Sequence, residues 1–113
     1  MKLLQKTCCF FGTGKIPSTH TLYTKIYSLM KRLIEKEKVT LFIFGCTTLF
    51  DSVACVAAVK IKESYPHIQL DVYSQDTQSM LSKCTHIAVL NFNDIGEMLK
   101  MKKQKIKIYY LIS

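Results

Sequence analysis

Glycine is scarce in this chain, with four among 113 residues, and three of the four fall where a nucleotide-sized anion is commonly held. Gly12 and Gly14 follow the apolar run Thr7-Cys8-Cys9-Phe10-Phe11, and Gly45 follows Val39-Thr40-Leu41-Phe42-Ile43-Phe44. Each run is β-prone, and each glycine is followed within a few residues by a helix cap. A loop of that kind permits positive φ and lets a ligand approach the backbone closely. The helix that follows turns unpaired N–H groups and a positive dipole end toward the loop, which suits phosphate. Around Gly12, Thr13 and Gly14, Lys15 adds charge. Around Gly45 and Cys46, Thr47 and Thr48 add hydroxyls able to cap the helix or to bond a phosphate or ribose. Asp51 suits the helix dipole and can accept a ribose hydroxyl or fasten the loop. Asn91 ends the apolar run His86-Ile87-Ala88-Val89-Leu90 and is the last candidate ligand residue.

Neither loop has a specific nucleotide signature. Gly12-Thr13-Gly14-Lys15 lacks the third glycine of a dinucleotide fingerprint, where Pro17 stands, and it is not a Walker A loop. No arrangement of residues marks a catalytic centre, and none is expected. The five cysteines have no C-x-x-C spacing and read as neither a disulfide framework nor a zinc site. Cys8 and Cys9, adjacent in a strand, point to opposite faces. Four of the cysteines read as small buried hydrophobes. Cys46, beside a helix N-terminus, is expected to be the most readily alkylated. His20, His67 and His86 lack metal-ligand spacing and read as surface or loop histidines.

The elements that position these residues follow from hydrophobic spacing. Ser18 or Thr19 caps a helix whose apolar face carries Leu22, Ile26, Leu29, Leu33 and Ile34, ending at Glu35-Lys36-Glu37-Lys38. A second helix presents Phe50, Val53, Ala54, Ala57 and Ile61 and ends before Pro66. Strands are expected at Ile68–Tyr73, His86–Asn91 and Ile106–Ile112, a short helix over Asp76–Lys83, and a third main helix after Asn93 or Asp94. Strand and helix alternate, so parallel strands with helical crossovers follow. The expected fold is a Rossmann-like three-layer α/β/α sandwich, one domain over residues 1–113, with a five-stranded mainly parallel sheet in order 3-2-1-4-5.

Composition bounds the rest. The hydrophobic fraction is 49%, ordinary for a folded domain. No apolar run approaches the length of a membrane span. The segment Met1–Phe11 reads as the lead-in to a strand rather than a signal peptide, so a cytoplasmic location and no membrane partner are expected. A net charge of +8 favours an anionic partner. Lysines are densest over Lys100, Lys102, Lys103, Lys105 and Lys107, where they complement a helix C-terminus.

Taken together, the order Thr7-Cys8-Cys9-Phe10-Phe11-Gly12, an amphipathic helix, Leu41-Phe42-Ile43-Phe44-Gly45 leading to Phe50-Asp51, a second helix, and Tyr65-Pro66-His67-Ile68 resembles the SLOG superfamily. That Rossmann-like group includes DprA, the cytokinin-activating LOG enzymes and small YpsA-like bacterial proteins, and the chain is most similar to the YpsA-like branch. The resemblance covers Thr7 to Val72 and extends more faintly from Met80 to Ile112. It implies nucleotide binding, with ADP-ribose or NAD-related ligands favoured. Where the branch has Gly-His-Arg, this chain has Gly12-Thr13-Gly14. Where the superfamily has a glycine-rich phosphate loop after the fourth strand, it has Asn91-Phe92-Asn93-Asp94-Ile95-Gly96. The Pro-Gly-Gly-x-Gly-Thr motif of LOG enzymes is absent, so phosphoribohydrolase activity is not expected. The expected function is a non-catalytic binding module for a nucleotide or nucleotide-derived anion. The alternatives are a protein–protein interaction or structural module with a degraded pocket, self-association included, and single-stranded nucleic-acid binding.

Overall fold

An unbroken apolar pentapeptide is stable in a strand only when both faces are covered, which assigns Thr7–Phe11 to the middle of a sheet. In the computed structural model, which describes residues 5–12, 18–45, 48–72, 84–90 and 107–111, that is its position. The chain runs β1 (Thr7–Phe11), α1 (Thr19–Lys36), β2 (Leu41–Phe44), α2 (Leu49–Lys62), β3 (Gln69–Val72), β4 (His86–Val89) and β5 (Lys107–Tyr110). The sheet order is β3-β2-β1-β4-β5, and every neighbouring pair is parallel. The chain is thus an α/β protein of the Rossmann-like kind, in the expected strand order. Every residue of β1 and β4 is buried, whereas β3 at the margin is largely exposed.

Local chemistry explains both helices. Ser18 accepts a hydrogen bond from the Thr21 N–H at 3.3 Å and starts α1. The stripe it buries is Leu22, Ile26, Met30, Leu33 and Ile34. Met30 replaces the expected Leu29, because the four-residue step from Ile26 keeps closest to the core direction. Leu29 is half-buried beside that stripe. The helix ends where Lys38 turns to φ 60°, and the Val39 N–H closes on the Leu33 carbonyl at 3.1 Å.

Both helices lie on one face of the sheet, over Cys8, Phe10, Phe42 and Phe44. Ala54, Ala57 and Ala58 are fully buried and let α2 approach closely. The opposite face presents Cys9, Phe11, Ile43, Ile87 and Val89, all buried. Burial on both faces is the condition of a three-layer sandwich. The expected helix over 76–83 and the third main helix lie outside the described residues.

Two sequence expectations need correction. Cys9 and Cys84 are joined in a disulfide, with Cα atoms 6.0 Å apart. Parallel pairing sets Cys9 beside Ile87, and Cys84 lies just ahead of β4, a neighbourhood that cysteine spacing does not reveal. Cys8 points to the other face as expected and is a buried free thiol, with its pKa pushed up by burial. His86 is not a surface histidine. It is the first residue of β4 and is 4% exposed.

Candidate functional site

The carboxyl ends of β1 and β2 lie side by side, and the first turn of α2 closes over them. A Cβ added to Gly12 would meet the Phe50 ring at 2.5 Å. One added to Gly45 would meet the Asp51 carboxylate at 2.8 Å. No described glycine has positive φ. Close approach, not left-handed backbone, is therefore what these two positions require, and the group that approaches is the protein's own helix.

That helix starts with a reciprocal capping box. The Asp51 N–H donates to Thr48 Oγ1 at 3.1 Å, and the Thr48 N–H donates to Asp51 Oδ2 at 3.2 Å. Gly12, Gly45, Thr48 and Asp51 are thus brought together. They meet through packing and capping. Thr13, Gly14, Lys15, Cys46, Thr47 and Asn91 lie outside the described residues.

On the other flank of β1 the strand order reverses. Phe11 is level with Val89, and the Leu90 N–H donates to the Phe11 carbonyl at 3.0 Å. The described ends of these two strands, Gly12 and Leu90, therefore lie at adjacent positions of the sheet. This is the topological switch point, where open parallel sheets hold their ligands.

A second polar cluster occupies the amino end of the sheet, and no sequence signal announced it. Glu37, the C-cap of α1, accepts from Lys107 Nζ at 2.6 Å and lies 3.2 Å from His86 Nε2. Thr85 Oγ1 lies 2.8 Å from His86 Nδ1, accepts from the Thr7 N–H at 2.9 Å, and is 3.0 Å from the Thr7 carbonyl. An ionised carboxylate only accepts, so His86 Nε2 carries the proton that faces Glu37. In the neutral ring, Nδ1 accepts from Thr85. In the cationic ring, Nδ1–H donates to Thr85, whose own proton then serves the Thr7 carbonyl. Of this cluster, His86 and Lys107 were legible as residues inside strand-like runs, but their meeting with Glu37 was not.

Burial holds the His86 pKa below the usual histidine value, outweighing the upward pull of Glu37. Lys107 first, and His86 second, hold Glu37 down to about 2. Both groups have depressed folded-state values, so both stabilise at neutral pH and lose that contribution as pH falls. For His86 the loss begins near the ordinary value of 6.5, and for Glu37 it runs from 4.5 toward about 2. Glu37→Gln is expected to remove the loss below pH 4.5 and to deepen the loss nearer neutrality, because His86 then has no carboxylate to raise it. Thermal melts from pH 3 to 8 check this, and an unchanged profile below pH 4.5 would count against the assignment.

Among the described residues, no cluster of three or more His, Cys, Asp or Glu side chains is arranged to hold a metal. No described helix is long and apolar enough to cross a membrane. Compared with known proteins, the chain matches no family model, no curated protein and no solved structure.

Proposed function

We propose that the chain is a non-catalytic binding module for a nucleotide-like anion of the ADP-ribose or NAD kind, seated in the crevice between the carboxyl ends of β1 and β4. The observation that carries this reading is the reversal of strand order at β1, with Leu90 bonded to Phe11 across the reversal. The ligand residues in this reading are Gly12 with Thr13, Gly14 and Lys15, which follow β1 in sequence, and Asn91, which follows β4. Lys15 supplies the charge, and backbone N–H groups supply the remaining donors. On the β2 side, Thr48 and Asp51 cap each other, so the Thr48 hydroxyl and N–H are already engaged there. The anion is accordingly assigned to the β4 side of Gly12. The resemblance to YpsA-like proteins supports the same ligand class.

A thermal-shift series with ADP-ribose, NAD and cyclic nucleotides tests the proposal. A true ligand at about 100 times its dissociation constant raises stability by about 2.7 kcal/mol. In calorimetry, Lys15→Ala is expected to weaken that ligand by about tenfold or more with the fold intact. Lys103→Ala, in the basic stretch, is expected to leave it unchanged. A larger loss from Lys103→Ala than from Lys15→Ala would overturn the crevice.

One observation favours the interaction-module reading. Leu49, Val56 and Val59 are half or more exposed on one side of α2, and Val56 lines a groove with Tyr23 of α1. Sedimentation velocity separates the readings. Self-association that is lost in Val56→Lys, with no nucleotide ligand found, selects the interaction module.

A further inference from the structure

A groove of about 640 Å³ runs between α1 and β5, and its described lining includes neither Gly12 nor a residue of the capped corner. Its α1 wall carries Thr24, Lys25, Ser28 and Arg32, and its floor includes Ile108 and Tyr109. Two cations and two hydroxyls face it, and no carboxylate is among its described lining residues. The nearby Glu37 carboxylate is already engaged by Lys107 and His86. The Thr24 hydroxyl already donates to the His20 carbonyl at 3.0 Å, which leaves Lys25, Arg32 and the Ser28 hydroxyl to receive an occupant, and a cationic groove fits an anionic one.

The floor decides what kind of occupant. β5 is the end strand in the sheet order, and among the described residues no strand lies beyond it. The N–H groups of Lys107 and Leu111 donate to the carbonyls of Thr85 and Val89, on the β4 side. Strand alternation then turns the N–H and C=O of Ile108 the other way, to the outer edge of β5 that borders the groove. The groove therefore offers a backbone ladder as well as charge. From Thr24 to Arg32, α1 rises about 12 Å. A four-residue strand spans about 13 Å, so wall and floor match an extended segment of about four residues.

Tyr109 argues against a nucleic acid here. Its ring stacks on His86 with centroids 6.1 Å apart, and the Arg32 guanidinium lies 5.8 Å from its centroid. An aromatic engaged in this way is not a platform for a nucleobase, which single-strand binding uses. We infer that the α1–β5 groove binds an extended acidic peptide, which adds to β5 as a sixth strand while Lys25 and Arg32 pair with its carboxylates. This site is separate from the proposed nucleotide crevice and does not depend on it.

Fluorescence anisotropy with a labelled Glu-Val-Glu-Val-Glu-Val peptide tests the inference. Three comparison probes are its lysine counterpart, a version with alternate amides N-methylated, and an oligothymidylate. The acidic peptide is expected to bind, and N-methylation to weaken it about tenfold or more, because the added ladder loses its donors. Lys25→Glu, an exposed position, is expected to weaken it by a similar factor, whereas Lys15→Ala leaves it unchanged. On titration, the Ile108 amide resonance shifts. Failure of the acidic peptide to bind, equal binding of its lysine or N-methylated forms, or tighter Lys25-dependent binding of the oligothymidylate would each overturn the inference.

Discussion

Reduction of the Cys9–Cys84 bond is expected to lower the unfolding free energy by about 4 kcal/mol. The bond ties the central strand to the start of its neighbour across a sequence separation of 75 residues. Cross-linking so long a loop removes much of the freedom of the unfolded chain, while the native chain holds both sulfurs in buried positions. Urea melts with and without reductant measure the difference, and coincident midpoints would refute it. Intact mass after alkylation under denaturing, non-reducing conditions checks the pairing directly. Three of the five cysteines should label, since two are bridged. In the native state Cys8 should label slowest of the three, because it is fully buried and burial pushes its thiol up. Cys46 should label fastest, as its position beside a helix N-terminus suggests. A disulfide of this kind is characteristic of oxidising compartments and uncommon in the cytosol, which sets it against the cytoplasmic location expected from the sequence.

The second large effect is expected at the contact between Gly12 and Phe50. Phe50 is fully buried, so its ring has little room to withdraw from a Cβ placed 2.5 Å away. Gly12→Ala should cost about 1–3 kcal/mol by overpacking. Phe50→Ala should cost about 3–5 kcal/mol through the cavity it leaves. The two changes should couple, because the new methyl group enters space that the ring vacates, and the double variant should cost less than the sum. Strict additivity in a double-mutant cycle would show that Gly12 serves the turn rather than the helix contact.

These cases mark where the sequence is readable. β1 was legible to the residue, because an apolar run closed by glycine is a local signal. The caps were legible as pairs of candidates, Ser18 or Thr19 and Thr47 or Thr48, of which the structure uses Ser18 and Thr48; the reciprocal bond between Thr48 and Asp51 was not among the expectations. The strand order followed from βα alternation and the chirality of crossovers. The Cys9–Cys84 bond and the His86–Glu37–Lys107 cluster were not legible. Their partners are brought together by parallel strand pairing across 49 to 75 residues, and no spacing rule connects them. At Gly12 and Gly45 the sequence showed that something must approach closely. It did not show that Phe50 and Asp51 would be what approaches.

The same distinction bears on the site. The β1–β2 corner looked like a ligand cradle because a glycine followed by a helix cap is the local pattern of one. The packed capping box explains that pattern without a ligand. The β1–β4 flank carries no local pattern, yet it is where the sheet reverses, and the proposed function rests there.

Backbone amide mapping of the labelled protein during an ADP-ribose titration tests that assignment most directly. The account predicts shifts concentrated at Gly12, Thr13, Gly14, Lys15 and Asn91, saturating with a single dissociation constant, while the Thr48 and Ile108 amides stay in place. Shifts concentrated at Thr48 and Ser52, or along Ile108 and Arg32, or no shifts with any nucleotide tried, would contradict it.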